Sequence, residues 1–482
     1  MTQKKEYTRL LASLVFAGAF IVIILLWIVK QIGVIPQANT TNISTESLSP
    51  SATKEQQKVT TDFIIPVQAR MSLGDKILVT ADTNPNKQDG VQAFATGDFA
   101  TAVSKFQASL EKNRNDPETL IYLNNAKIGK SPALKVVVSV PISGILNVSR
   151  EILRGVAQAQ DEVNRSGGIN GVLLQLEIAN DEGDLAIATQ LAHEFVKDKS
   201  VLAVIGHNRA DISVAAGQIY NQGDLVMVSP TSNASQFSGS SNYIFSISPN
   251  TKVFAESLAK YITQSARLKS IAICSDSKNP IIKGIIKEYA QSLLQSGGNI
   301  TSTVCDFSAP DFNPNAVIGR AISDGAEGLL LLPKLDKVTP AIDMARANNG
   351  RLALFTYGGM YTYETLNKGR ENFKGMVLPV LWHPDAVSSN SFSDHASQLW
   401  GGRVNPRTAT SYDALEVIIA GLKSGKTRAE LQKALSDRNF SASGATGTIQ
   451  FLPSGDRKGT PLLVKIDPGS TSGTGYDFTL VQ

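Results

Sequence analysis

Few side chains in this sequence are spaced for covalent chemistry. His193-Glu194 opens like a zinc-protease helix, in which histidines at i and i+4 hold the metal and the glutamate serves as base, but Lys197 stands where the second histidine belongs. The other histidines, His207, His383 and His395, have no ligand-like spacing. Ser166 to Val172, "SGGINGV", has closely spaced glycines, yet it follows a helical pattern and precedes a strand pattern, the reverse of a dinucleotide fingerprint. Turn glycines account for it. With no nucleophile beside its base, no metal cluster and no phosphate loop, the sequence points away from an enzyme and implies no cofactor.

The chemistry that remains is recognition. In "GHNRADISVAAGQIYNQGDLVMVSPTSNAS", Gly206 to Ser235, two loops carry amides, hydroxyls and a guanidinium: Asn208-Arg209-Ala210-Asp211 and Thr231-Ser232-Asn233. Backbone N–H groups at the start of a helix from Ile212 would suit an anion, and Asp211 reads as the N-cap of that helix. Arg209 has two readings: a guanidinium in a cleft, gripping carboxylate or phosphate through two N–H groups, or a side chain turned to solvent.

Positioning such loops requires a sheet. From Ala133 on, short apolar runs alternate with amphipathic segments: "ALKVVVSV", "LLQLEIAN", "VLAVIGH", "LVMVSP", "SIAICSD", "ITSTVCDF", "GLLLLP", "LALFTYG" and "GMVLPVL". Near-continuous Val/Ile/Leu strands separated by helices predict parallel sheets covered on both faces. The region is too long for one comfortable open sheet. The expected fold class is therefore α/β, two doubly wound parallel-sheet lobes with a ligand cleft between them at the carboxyl ends of the strands. Cys274 and Cys305 both fall in strand-like runs; they pair if those strands are neighbours, or pack as two buried thiols.

Upstream, Leu10 to Val29 is an uncharged apolar run long enough for a bilayer core. Lys4, Lys5 and Arg9 precede it, so the positive-inside bias predicts a cytoplasmic N-terminus over 1–9, a single transmembrane helix over 10–29 and the bulk of the chain periplasmic or extracellular. "VIPQANT" makes a poor cleavage site, which favours an uncleaved anchor over a signal peptide. A polar, disordered linker is expected over 30–61, and a short extended stretch with a small helical segment over 62–130. In that segment Gly97-Asp98-Phe99, Ala102, Phe106 and Pro117 resemble a tetratricopeptide repeat, either as a partner-binding groove or as a helical hairpin packed on its own chain. Across the 482 residues, 46 Lys+Arg against 42 Asp+Glu leave +4 without basic stripes, which sets nucleic acid aside.

The ordered series "LRGVAQAQDEVNRSGGINGVLLQLEIANDEGD", "AVIGHNRADISVAAGQIY", "LVMVSPTSNAS", "YIFSISPN", "SYDALEVI" and "GTIQFLPSGDRKG" resembles the type I periplasmic binding proteins of the leucine/isoleucine/valine kind, the solute receptors of ABC importers. The resemblance covers residues 133–482. It implies lobe 1 over about 133–251 and 382–443 and lobe 2 over about 252–381 and 444–482, with crossings near Thr251, Trp382 and Gly444. It also implies hinge closure on a small polar solute, and permease and ATPase partners. In amino-acid-binding relatives the first loop supplies a serine and backbone N–H groups and the second a small residue and a threonine, which hold the ligand carboxylate, while lobe 2 supplies an acidic residue for the ammonium. Here Ala210 takes the serine position, Asn233 replaces threonine, and "LFTYGGMYTY" holds no Asp or Glu before Glu364, so an α-amino acid is a poor fit. Lys334 and Tyr357 at lobe 2 strand ends, and Ser149 and Asn147 near the first loop, complete the candidate contacts. Two other readings stand beside the importer: a ligand-sensing ectodomain acting through a partner membrane protein, and a degenerate interaction domain.

Overall fold

The computed structural model describes residues 66–232, 239, 241–334, 338–386 and 391–481. The apolar run at 10–29 and the polar linker lie outside the described residues. Among those residues, no helix is long and apolar enough to cross a membrane.

The first sheet contains β1 (Met71–Ser72), β2 (Ala133–Val140), β3 (Leu173–Asn180), β4 (Val201–Ile205), β5 (Val226–Ser229) and β6 (Ile244–Ser246) in the order β1-β3-β2-β4-β5-β6. β2 through β6 pair in parallel, and β1 pairs antiparallel with the β3 edge. The apolar runs form this sheet because helices cover both of its faces, leaving Val136, Val137, Val138, Leu176, Val204 and Ile205 with no exposed surface.

The helical segment belongs to this lobe. Its helices are α1 (Pro85–Ala95), α2 (Phe99–Lys112) and α3 (Pro117–Ile128), capped by Asn84, Asp98 and Asp116. Phe106, Ile121 and Tyr122 share one core with Val136 and Leu176. Asn125 Nδ2 donates to Leu176 O at 2.7 Å and Leu73 O at 2.8 Å, fastening α3 to β3 and to the residue after β1. Beneath α1, Lys87 Nζ lies 2.8 Å from Asp116 and 2.7 Å from Glu118, with all three side chains fully buried. Of the two readings of the repeat-like motif, the structure shows helices packed on their own chain.

The remaining helices of this lobe are α4 (Leu146–Arg165), α5 (Leu185–Lys197) and α6 (Ala210–Gln222). The chain then enters lobe 2 through α7 (Thr251–Lys260), whose Ala255 and Leu258 lie in a second-sheet core. That sheet has β7 (Ser270–Ser275), β8 (Asn299–Ile300), β9 (Gly328–Leu332), β10 (Ala353–Thr356) and β11 (Val377–Val380), separated by α8 (Pro280–Gln295), α9 (Pro314–Ser323), α10 (Thr339–Asn348) and α11 (Tyr363–Gly369). Trp382, just past β11, is back in the first core.

α12 (Ser391–Trp400), α13 (Pro406–Leu422), α14 (Arg428–Leu435) and the hairpin β12 (Ala442–Gly444)–β13 (Gly447–Ile449) follow, before β14 (Leu462–Pro468) and β15 (Tyr476–Leu480). The second sheet runs β15-β14-β11-β10-β9-β7-β8. Its β14 and β15 are antiparallel, so both sheets are mixed where all-parallel sheets were expected. An antiparallel pair at a sheet edge tolerates one solvated face, which the alternating burial of β14 displays.

Two further expectations are corrected. "ITSTVCDF" does not form a strand through Cys305: β8 ends at Ile300, and Asp306 instead anchors a turn by accepting from Ser277 N at 3.1 Å and Ser308 N at 2.9 Å. Cys305 is nonetheless disulfide-bonded to Cys274 (S–S 2.13 Å). The third crossing is also later than Gly444. Ala445 and Ile449 lie in the first core, and Asp456 bridges Ser246 before the chain joins the second sheet at Leu462. The buried Asp413 carboxylate on α13 holds this hairpin in lobe 1, accepting from Ala445 N at 2.5 Å and lying 3.3 Å from Arg457 Nη1.

Candidate ligand cleft

The strand ends of lobe 1 are rigidified from beneath. His207, at the end of β4, is fully buried; its Nδ1 lies 2.7 Å from Asp181 Oδ2 and its Nε2 3.0 Å from the Tyr220 hydroxyl. Ser139 Oγ donates to the same Asp181 oxygen at 3.1 Å, so β2, β3, β4 and α6 are stitched together under the loop. Burial, then the Asp181 carboxylate, raises the Tyr220 phenol well above its ordinary value and keeps it protonated. Above this network Thr231 Oγ1 donates to Asn208 Oδ1 at 3.2 Å, joining the two loops singled out in the sequence. Ser232 is buried, with its N–H on Ser229 Oγ at 3.1 Å and its carbonyl accepting from Ser246 Oγ at 2.7 Å. Its own hydroxyl is buried and has no partner among the described residues. Asn233 lies outside the described residues.

Asp211 is not the N-cap it was read as, and Arg209 is partly turned to solvent, one of its two readings. The helix starts at Ala210, with Arg209 at the N-cap position, so Asp211 sits in the first turn and caps nothing. Asp211 Oδ1 accepts from Arg209 Nε at 3.0 Å, and Gly183 O from Arg209 Nη1 at 2.9 Å. With its side chain 44% exposed and already holding a carboxylate, Arg209 is a rim residue neutralised by its own loop. Ser149 is buried in α4 and donates to Ile145 O at 3.2 Å, within its own helix.

In lobe 2, Lys334 follows β9 and Tyr357 follows β10. The Tyr357 hydroxyl donates to Pro333 O at 3.0 Å, tying those two strand ends together. At Gly358 a Cβ would lie 2.5 Å from Pro379 O, so the backbone leaves no room there for any side chain. Tyr361 stacks on Phe478 at 4.0 Å between ring centroids, and burial raises its phenol above the ordinary value.

The two lobes meet through residues that were not singled out, or were weighted lightly. Asn147 Nδ2 on α4 donates to Glu364 Oε1 on α11 at 3.2 Å. Arg407, in the first turn of α13, donates from Nη1 to Tyr361 O at 3.0 Å and from Nη2 to Gly359 O at 3.4 Å. The close α4–α13 crossing sets its position: a Cβ on Gly155 would lie 2.2 Å from Thr408 O, so only glycine lets the helices approach this far. A signal for Arg407 existed in "NPRTATSYDAL". Asn405 and Pro406 mark a helix start, and a cation just inside one opposes the helix dipole.

Two wound lobes, with chain crossings between them and contacts from α4 and α13 of one to the strand-end segments of the other, are the architecture of a two-lobed binding protein. The match to known proteins is specific: the family model described as periplasmic binding protein covers residues 133–464, and the chain belongs to that family. The Leu/Ile/Val-binding protein homolog 3 of Brucella melitensis is 24% identical over 326 residues, covering 66% of this chain and 86% of that protein. Among solved structures, a leucine binding protein from Thermotoga maritima superimposes with a TM-score of 0.63 at 18% identity, over 72% of this chain and 98% of that one. An R. palustris solute binding protein of an ABC transporter, in complex with benzoate, gives 0.60 at 16%, over 72% and 96%. At these identities the structural likeness is one of fold.

Proposed function

We propose that this protein is a membrane-tethered, extracytoplasmic solute receptor of an ABC importer, closing its two-lobed cleft on a small polar, carboxylate-bearing solute. The observation that carries the reading is the contact between the two lobes in a chain of the periplasmic binding protein family, where Arg407 of lobe 1 reaches Gly359 and Tyr361 of lobe 2, with the polar loops at Asn208 and Thr231 as candidate lobe 1 contacts. Such clefts close by hinge motion about the crossing strands. Relatives named for leucine, isoleucine and valine, and one bound to benzoate, support a carboxylate as the shared chemistry, because benzoate carries no ammonium. The stretch "LFTYGGMYTY" offers a ligand ammonium no acid before Glu364, which favours a non-amino carboxylate. The Cys274–Cys305 disulfide supports an oxidising compartment, and the apolar run at 10–29 supplies the tether. On this reading permease and ATPase subunits are the partners.

Thermal-shift screening of the full chain in mild detergent tests the reading, using branched-chain amino acids, aliphatic and aromatic carboxylates and their amides. A ligand at about 100 times its Kd stabilises the folded state by roughly 2.7 kcal/mol, a readily measured rise in Tm. Stabilisation by carboxylates is expected; a screen in which none of them raises Tm refutes it.

A further inference from the structure

Arg407 is a half-buried cation in the first turn of α13, at the contact between the lobes. Its guanidinium offers five N–H donors, and the bonds it makes are to two neutral carbonyls across the seam, Tyr361 O and Gly359 O. Among the described residues it forms no salt bridge, whereas the other arginines near the seam do. Arg154 holds Glu151, Arg150 holds Asp82 and Arg209 holds Asp211. The carboxylates that flank Arg407 have other partners: Glu151 accepts from Arg154 and Thr408, and Glu364 from Asn147. Burial pulls its pKa down, and the fields of Glu151, Tyr357 and Glu364 only partly restore it. Arg407 is half-buried, and a guanidinium whose side-chain bonds go to neutral carbonyls at the meeting of two lobes has capacity for a further acceptor.

Resting on the reading of this seam as a ligand cleft, we infer that Arg407 is the residue through which the cleft selects its solute, pairing with a single carboxylate. Nε–H and the second N–H of a terminal nitrogen form the side-on fork that a carboxylate fits. The N-terminal end of α13 contributes positive potential of the same sense. Glu151 and Glu364, beside it, repel a doubly charged phosphate more strongly than a singly charged carboxylate. The guanidinium that the sequence offered for this role, Arg209, lies at the rim with its counter-ion already in place.

Calorimetric titration of the full chain with benzoate and 4-methylpentanoate, each against its primary amide, tests the assignment. The wild type is expected to prefer acid over amide. Arg407→Gln should weaken acid binding about 10- to 100-fold, the range for a hydrogen-bonded charge, with amide binding unchanged. Arg407→Lys keeps the charge but loses the fork and should fall between; it also serves if the glutamine variant fails to fold. Equal weakening of acid and amide would show a lobe-bridging role only and overturn the assignment, as would unchanged acid binding or a larger loss from Arg209→Gln. If the wild type binds neither acid, the carboxylate reading of the cleft fails, and the assignment with it; if the wild type binds and Arg407→Gln is indifferent, the assignment alone fails.

Discussion

Glu416 provides a quantitative test of how α13 is held. It projects from α13 toward α4, where Glu162 accepts from the Tyr412 hydroxyl at 2.6 Å and from Gln158 Nε2 at 3.0 Å. Burial first, then the charges of Glu162 and Asp413, raises the Glu416 carboxyl from its ordinary 4.5 to about 7. Because the folded value lies above the unfolded one, the folded state binds this proton more tightly. The stabilisation is complete below pH 4.5 and is lost as pH rises to about 7. At about 1.36 kcal/mol per unit, that shift from 4.5 to 7 sets a ceiling of about 3 kcal/mol. Glu162 shares the repulsion, so about 1–3 kcal/mol is the working range. Glu416→Gln removes the titration while keeping the shape. It should stabilise the protein at pH 8 by that amount, seen as a Tm rise of about 2–5 °C, and change little at pH 4.5. Thermal unfolding of both proteins at the two pH values gives a difference of differences in which the other titrating groups largely cancel. A variant that gains nothing at pH 8, or gains equally at pH 4.5, would refute the account of the α4–α13 interface.

Other perturbations address the helical segment and lobe 2. Lys87→Met should cost about 3–5 kcal/mol by stranding Asp116 and Glu118 in the core, measured as lost Tm. A fragment beginning at Ala133 should express poorly or melt well below one beginning at Ile64, since it uncovers the β3 edge and the α4 surface that α3 buries; equal melting curves would show the segment to be separable. The disulfide closes a separation of 31 residues, so Cys305→Ser should cost roughly 3–4 kcal/mol, and thiol titration of the denatured, unreduced protein should find no free thiol.

The lobes were legible because their strands are buried on both faces and therefore read as unbroken apolar runs; "VLAVI" from 201 to 205 is wholly buried, as its composition requires. The caps of the helical segment were legible for a similar reason: Asp116-Pro117 acts through the adjacent backbone. The edge strands were harder, since Met71–Ser72 is two residues long and becomes a strand only by pairing with β3. Local sequence left two readings of Arg209 open, because its ion pair with Asp211 depends on the helix starting at Ala210.

By itself the sequence determined the α/β class, the alternation of strands and helices, the polar loops at 208–211 and 231–233, and the absence of spaced catalytic or metal-binding groups, all properties carried by residues near one another in the chain. The tertiary structure alone decided that residues 66–128 complete lobe 1, that Cys274 meets Cys305, and that Arg407 reaches lobe 2 while Arg209 pairs with Asp211. Each of these depends on how segments distant in sequence pack. What a charge bonds to is settled by its neighbours in space, and the Arg407 guanidinium bonds to carbonyls in the other lobe.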